Sequence, residues 1–247
     1  MAANKKQRKA TGSGSEGGRF SRGNLLTSIV LVMPLLIFYE IGVLFSTSMN
    51  GADLITSALV KLVGRAGFIW VQLGLVVIMA GLIIYLRRTQ QFELKQFLPV
   101  LLESGIYAAT MGTLIIFVMV DVLHVNPKLA AGALAQSGPF DKLVMSIGAG
   151  VHEELVFRLL LMGGLTWFAQ KALKMRPWLA VLLALLVSSA LFSAAHHWGS
   201  MGEAFRIGVF VYRLLAGVIF GLLFRYRSFA IAVYTHALYD IYVMLLH

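Results

Sequence analysis

The chain has 247 residues, of which 59% are hydrophobic and only 13% charged, and its formal net charge is +10. So apolar a composition excludes an ordinary soluble domain, and the absence of cysteine excludes disulfides, a thiol nucleophile and thiolate metal ligands. The positive charge reads as membrane topology, because Lys and Arg gather in cytoplasmic loops, and not as a nucleic-acid surface.

Residues 1–23 are basic, rich in Gly and Ser and without an apolar face, and they read as a disordered cytoplasmic tail. Residues 24–247 form one membrane-embedded domain. Its first apolar run covers 25–45 and carries Pro34 and Glu40. Residues 52–63 are too short and weak to cross and suit the interface. The second run, 68–86, stops at Arg87-Arg88; a polar connector with Lys95 leads to Pro99, which opens a third run to about His124. A linker, 125–139, precedes the fourth run, 140–168, which is followed by Lys171, Lys174 and Arg176. Pro177 opens the fifth run, to about His197; the sixth covers 204–224 and stops at Arg225 and Arg227; the seventh covers 229–246. Runs of this length mark membrane-spanning helices. The tail and the loops at 87–95, 171–176 and 225–227 hold most of the Lys and Arg, and they fall on one side. That pattern predicts an all-α polytopic membrane helix bundle of about seven transmembrane helices, N-terminus cytoplasmic and C-terminus outside.

The fourth run holds groups that hydrocarbon does not tolerate. In Gly150-Val151-His152-Glu153-Glu154-Leu155-Val156-Phe157-Arg158, two adjacent carboxylates and a guanidinium stand inside an apolar segment. Each such charge costs about 2.5–3.5 kcal/mol at a helix centre, so the chain pairs them, uses them, or both. On a helix Glu154 and Arg158 are one turn apart and can pair, whereas Glu153 is turned about 100° away and needs another partner. His196 at the end of the fifth run, and His236 with Asp240 in the seventh, are available. At about 1.5 Å per residue, Glu153 and His236 lie roughly 18 and 15 Å below the outer ends of their helices, which sets a meeting point in the outer half of the bilayer. A buried carboxylate with two imidazoles and a further acid suits peptide hydrolysis. The carboxylate and one imidazole share a water, and the second imidazole with a donor holds an oxyanion. Glu154 and Arg158 read as a structural pair, and Phe192 as core packing. Glu40 and Arg213 are expected to pair or to line the substrate path. His152 and His197 read as bystanders, and the spacing of Gly217 and Gly221 as helix packing within the bundle.

The runs Glu153-Glu154-xxx-Arg158, Phe192-xxx-His196 and His236-xxx-Asp240 resemble the motifs EExxxR, FxxxH and HxxxN of the CPBP family. This is the CAAX prenyl endopeptidase and bacteriocin-processing group of glutamic intramembrane proteases, also called ABI. The resemblance covers residues 140–247, in order. It implies an intramembrane endopeptidase in which Glu153 and His196 activate a water, His236 and residue 240 form the oxyanion hole, and Glu154, Arg158 and Phe192 support them, with no metal and no cofactor. The departure is Asp240, where the family most often has Asn; an ionised carboxylate would repel an oxyanion, so Asp240 is either protonated or orients His236. The partners implied are membrane lipids and a peptide or protein substrate, in the myxosortase-like branch one with a C-terminal sorting helix, in a bacterial inner membrane. A prenylated substrate, approaching from the cytoplasm, fits an outer-half site less well. Two other readings stay open: a zinc metallopeptidase built on His196, His236 and Glu153 or Asp240, although no HExxH is present, and a non-catalytic immunity factor, scaffold or carrier.

Overall fold

The computed structural model of the protein describes residues 25–46, 54–92, 94–126, 138–198 and 204–246, and every regular element among them is helical. The tail and most of the 125–139 linker lie outside the described residues. Helix α1 (Leu25–Phe45) contains Pro34. Helix α2 (Leu54–Leu86) joins the expected interfacial segment to the second run across a kink at Gly64, whose φ of 72° lies in the left-handed region that favours glycine. Helix α3 (Phe97–Phe117) holds Pro99 in its first turn and passes into a π-helical turn, Val118–Val122.

The fourth run is one rod in three pieces: α4 (Pro139–Glu154), a π-helical stretch Leu155–Met162, and α5 (Gly163–Lys171). The backbone thus widens at the residue after the two glutamates, and Arg158 sits within the wider turn. Such π segments often accompany functional sites. Helices α6 (Pro177–Ala195), α7 (Ile207–Tyr226) and α8 (Phe229–Leu246) follow, with Pro177 at the first helical position, where a missing N–H costs no helical bond.

Five helical stretches among the described residues are long and apolar enough to cross a membrane: Leu25–Val43, Ala66–Leu86, Leu94–Val122, Pro177–Ala195 and Ile207–Tyr226. The other two expected spans fall outside that set for a physical reason. The α4–α5 rod carries the charged motif, and the apolar part of α8 is only Phe229–Leu245. These two are the central elements, shielded by protein: α4 is buried from Val144 to Glu154, and α8 from Phe229 to Ala237. A helix that meets other helices instead of lipid does not have to be uniformly apolar.

Helices α4 and α8 pack against each other at the centre, with α1 against both, α3 and α7 on α8, and α6 on α7 and the π stretch. Their close approach rests on Gly150: a Cβ there would come within 2.8 Å of both the backbone N and the Cβ of Ala237. Gly217 and Gly221 likewise let α7 lie on Ser189, Phe192 and Leu185 of α6, so this pair serves packing within the bundle, as expected. On the outside, α2 presents Trp70, Val77, Ile78 and Ile84, all more than half exposed, as a lipid-facing surface.

Candidate active site

Three consecutive residues of α4 reach three different neighbours, and the helical step of about 100° per residue is the cause. His152 turns to α2, Glu153 to α6, and Glu154 to α8 and Arg158. All three are buried, at 3%, 3% and 0% exposure, which removes water as the default partner and makes these protein contacts decisive.

Glu153 faces His196, the residue that caps α6, with Oε2 3.7 Å from Nε2. The His196 Nδ1 lies 2.8 Å from the Phe192 carbonyl, and a carbonyl only accepts, so Nδ1 carries the hydrogen. In the neutral ring Nε2 is therefore a bare lone pair. A lone pair and a carboxylate oxygen are both acceptors and cannot bond to each other, so at 3.7 Å they call for a shared donor, which the two O–H groups of one water would supply.

Glu154 holds a different set. One oxygen is 2.9 Å from His236 Nδ1 and the other 3.1 Å from Arg158 Nε. The opposite edge of His236, Nε2, lies 3.5 Å from Asp240 Oδ2, one turn further along α8. A ring facing carboxylates through both nitrogens can donate to both only as imidazolium. With Arg158 it would balance the two carboxylates in charge. Arg158 is wholly buried; its Nη2 also reaches the Gly217 carbonyl at 3.4 Å.

Aromatic rings separate and orient these groups. The Arg158 guanidinium carbon stands 4.5 Å from the Phe192 ring centroid and 5.6 Å from that of Phe220. Phe192 meets His196 and His236 edge-on at 5.0 and 5.9 Å, and Phe220 stacks on His236 at 4.4 Å with 14° between planes. Phe192 is thus more than core filling: among the described residues it is the ring that meets the guanidinium and both imidazoles.

All seven sequence-derived positions gather in one region, though in two compartments. The expectation that both imidazoles face Glu153 is corrected: the acid on His236 is Glu154, because Glu153 and Glu154 leave the helix in different directions. Glu154 is accordingly shared between Arg158 and His236, where the sequence suggested a plain ion pair. Among the described residues no three His, Asp or Glu side chains converge as a metal-binding group. Glu40 accepts from Gln72 at 2.6 Å, and Arg213 lies close enough to His196 for its charge to act on that ring. His197 packs between Phe205 and Phe210, and His124 is exposed at the end of the third run.

Sequence reasoning missed Phe220, Gln72 and the Tyr212–Tyr239 hydroxyl pair, which bridges α7 and α8 one residue from Asp240. Phe220 carries no sequence signal, because one more Phe in an apolar helix is unmarked. Gln72 had a signal, as the lone polar side chain between Phe68 and Met79.

Residues 135–242 match the family model described as Type II CAAX prenyl endopeptidase Rce1-like. The matched stretch contains all three motifs and ends two residues beyond Asp240. No curated protein and no solved structure matches the chain.

Proposed function

We propose that the chain, whose residues 135–242 match the CAAX prenyl endopeptidase model, is a membrane endopeptidase of the CPBP type and hydrolyses a peptide bond with a water held between Glu153 and His196. The observation that carries this is the facing pair of acceptors, Glu153 Oε2 of α4 and His196 Nε2 at the end of α6, 3.7 Å apart. The water donates one hydrogen to each. As its oxygen attacks the scissile carbonyl carbon, its proton passes to Glu153, and Glu153 returns it to the leaving amine. Atoms and charge balance without a cofactor. General-base help of this kind contributes about 10²–10⁴-fold.

The negative oxygen that forms on the carbonyl is received by His236. Glu154 holds its Nδ1 firmly, whereas Nε2 is engaged by Asp240 at only 3.5 Å, beyond good hydrogen-bond length, so Nε2–H is available. On this reading Asp240 orients the ring and keeps it charged and does not touch the oxyanion. Glu154 and Arg158 fix the rotamers of that half of the site.

The substrate reading follows from position. His196 lies at the end of α6 opposite the basic residues 171–176, and Glu153 stands against it. If the basic loops face the cytoplasm, the site is in the outer half of a bacterial inner membrane. That favours an exported or anchored protein with a C-terminal sorting helix over a prenylated one. The test uses purified protein in lipid vesicles with two synthetic peptides: one ending in an apolar helix and a basic cluster, the other farnesylated on a C-terminal CAAX sequence. Mass spectrometry should show internal cleavage of the first, unchanged by a zinc chelator. Cleavage of the farnesylated peptide alone would reverse the substrate assignment, loss of cleavage on chelation would replace the water-activating pair with a metal, and cleavage of neither would refute the protease reading.

A further inference from the structure

About 100° around α4 from the Glu153–His196 contact, a second polar chain crosses three helices. The Gln72 Nε2 of α2 donates to Glu40 Oε1 of α1 at 2.6 Å and lies 3.3 Å from His152 Nε2 of α4. His152 Nδ1 is 3.0 Å from the Gly148 carbonyl, so it carries the hydrogen and Nε2 accepts from Gln72. Both hydrogens of the Gln72 amide are therefore committed, which also fixes the amide orientation: the reversed amide would set Oε1 against the Glu40 carboxylate. The Gln72 Oε1 remains. Gln72 is only 5% exposed, and no hydrogen bond to Oε1 occurs among the described residues.

Unlike Glu153 Oε2 or Thr235 Oγ1, that oxygen is not sealed inside the protein, so it stays reachable from outside. An amide held this rigidly at both hydrogens, with its acceptor left over, is suited to receive an N–H from something that enters. The place is informative. The ring that fixes Gln72 belongs to the residue immediately before Glu153, and α2 and α6 flank this part of the bundle without packing along one another. A membrane helix has no free backbone N–H until it unwinds, and hydrolysis requires unwinding at the scissile bond; each freed N–H then needs an acceptor inside lipid.

We propose that Gln72, clamped by Glu40 and His152, is a substrate-positioning residue whose side-chain oxygen accepts a backbone N–H of the unwound peptide beside the scissile bond. This rests on the protease reading. The contact selects an extended backbone and is indifferent to side chains, so it marks the substrate class as a helix able to open next to its cleavage site. It also explains a polar side chain in the otherwise lipid-facing α2.

The experiment is a cycle between enzyme and substrate. In the vesicle assay, each backbone amide flanking the cut in the cleaved peptide is replaced in turn by an ester, which removes one N–H and keeps the shape. In the wild-type enzyme, one ester position should lower kcat/KM about three- to tenfold. Gln72→Met should lower kcat/KM on the parent peptide by a similar factor, and in that variant the same ester should cost nothing further. If Gln72→Met fails to fold, Gln72→Asn, which withdraws the amide by one methylene, carries the same comparison. Ester penalties identical in wild type and variant, with the wild type active, would overturn this inference and leave the protease reading intact. A wild-type enzyme that cuts neither peptide would overturn both.

Discussion

His152 and His196 are held in the same way and used differently. Each directs Nδ1 to the carbonyl four residues earlier on its own helix, and each thereby leaves Nε2 as an acceptor. On the α2 side of α4 the protein supplies the donor, the Gln72 amide, and the ring is only 3% exposed with Tyr39 edge-on at 4.7 Å. On the α6 side the protein presents a second acceptor, Glu153, and the side chain of His196 keeps 19% exposure. On the proposed mechanism the ring that receives a donor from Gln72 is a structural part, and the ring that faces the Glu153 carboxylate is the reactive one. Residue type does not separate the two cases; the group opposite Nε2 and the exposure of the ring do.

Substitutions can break or sharpen that contrast. The largest effect is expected from His196→Ala, which should lower kcat by about 10²–10⁴-fold with little change in melting temperature. His152→Ala should do the reverse, keeping kcat within about tenfold while lowering stability by about 2–4 kcal/mol through the cavity and the stranded Gln72 amide. Equal losses of kcat in the two variants, measured side by side with thermal melts, would erase the distinction. Next comes the Glu154 compartment. Arg158→Met should destabilise by about 3–5 kcal/mol, because it leaves a buried carboxylate with one cationic partner fewer, and adding Glu154→Gln should restore part of that. A double variant no more stable than the single one would contradict the pairing. Gly150→Val should cost about 1–3 kcal/mol, since its side chain would enter the backbone of Ala237. At the small end, Ile78→Ala on the lipid face of α2, where Ile78 is 67% exposed, should change stability by no more than about 0.5 kcal/mol.

Much of this was legible in the sequence. The helices begin and end near their apolar boundaries because Pro99, Pro177, Arg87 and Arg225 act locally, through backbone geometry and charge. The motif residues stood out because charge inside an apolar run is costly, and the seven positions do gather in one region. What stayed hidden depends on angle. Whether His236 meets Glu153 or Glu154 is decided by about 100° of helix rotation and by the approach of α8 at Gly150, and neither is written in spacing alone. The π stretch that carries Arg158 has no composition of its own. Phe220 could not be chosen among the many Phe residues until the stacking on His236 was seen. Likewise, composition did not reveal that α4 and α8 are covered by other helices.

The most direct test is single-turnover cleavage by Glu153→Gln, with a melting curve on the same sample. Glutamine keeps the size and the hydrogen-bonding reach of Glu153 but cannot take a proton from water. The account predicts an unchanged melting temperature and a cleavage rate lower by at least about 10²-fold. Cleavage at the wild-type rate by the folded variant would contradict it.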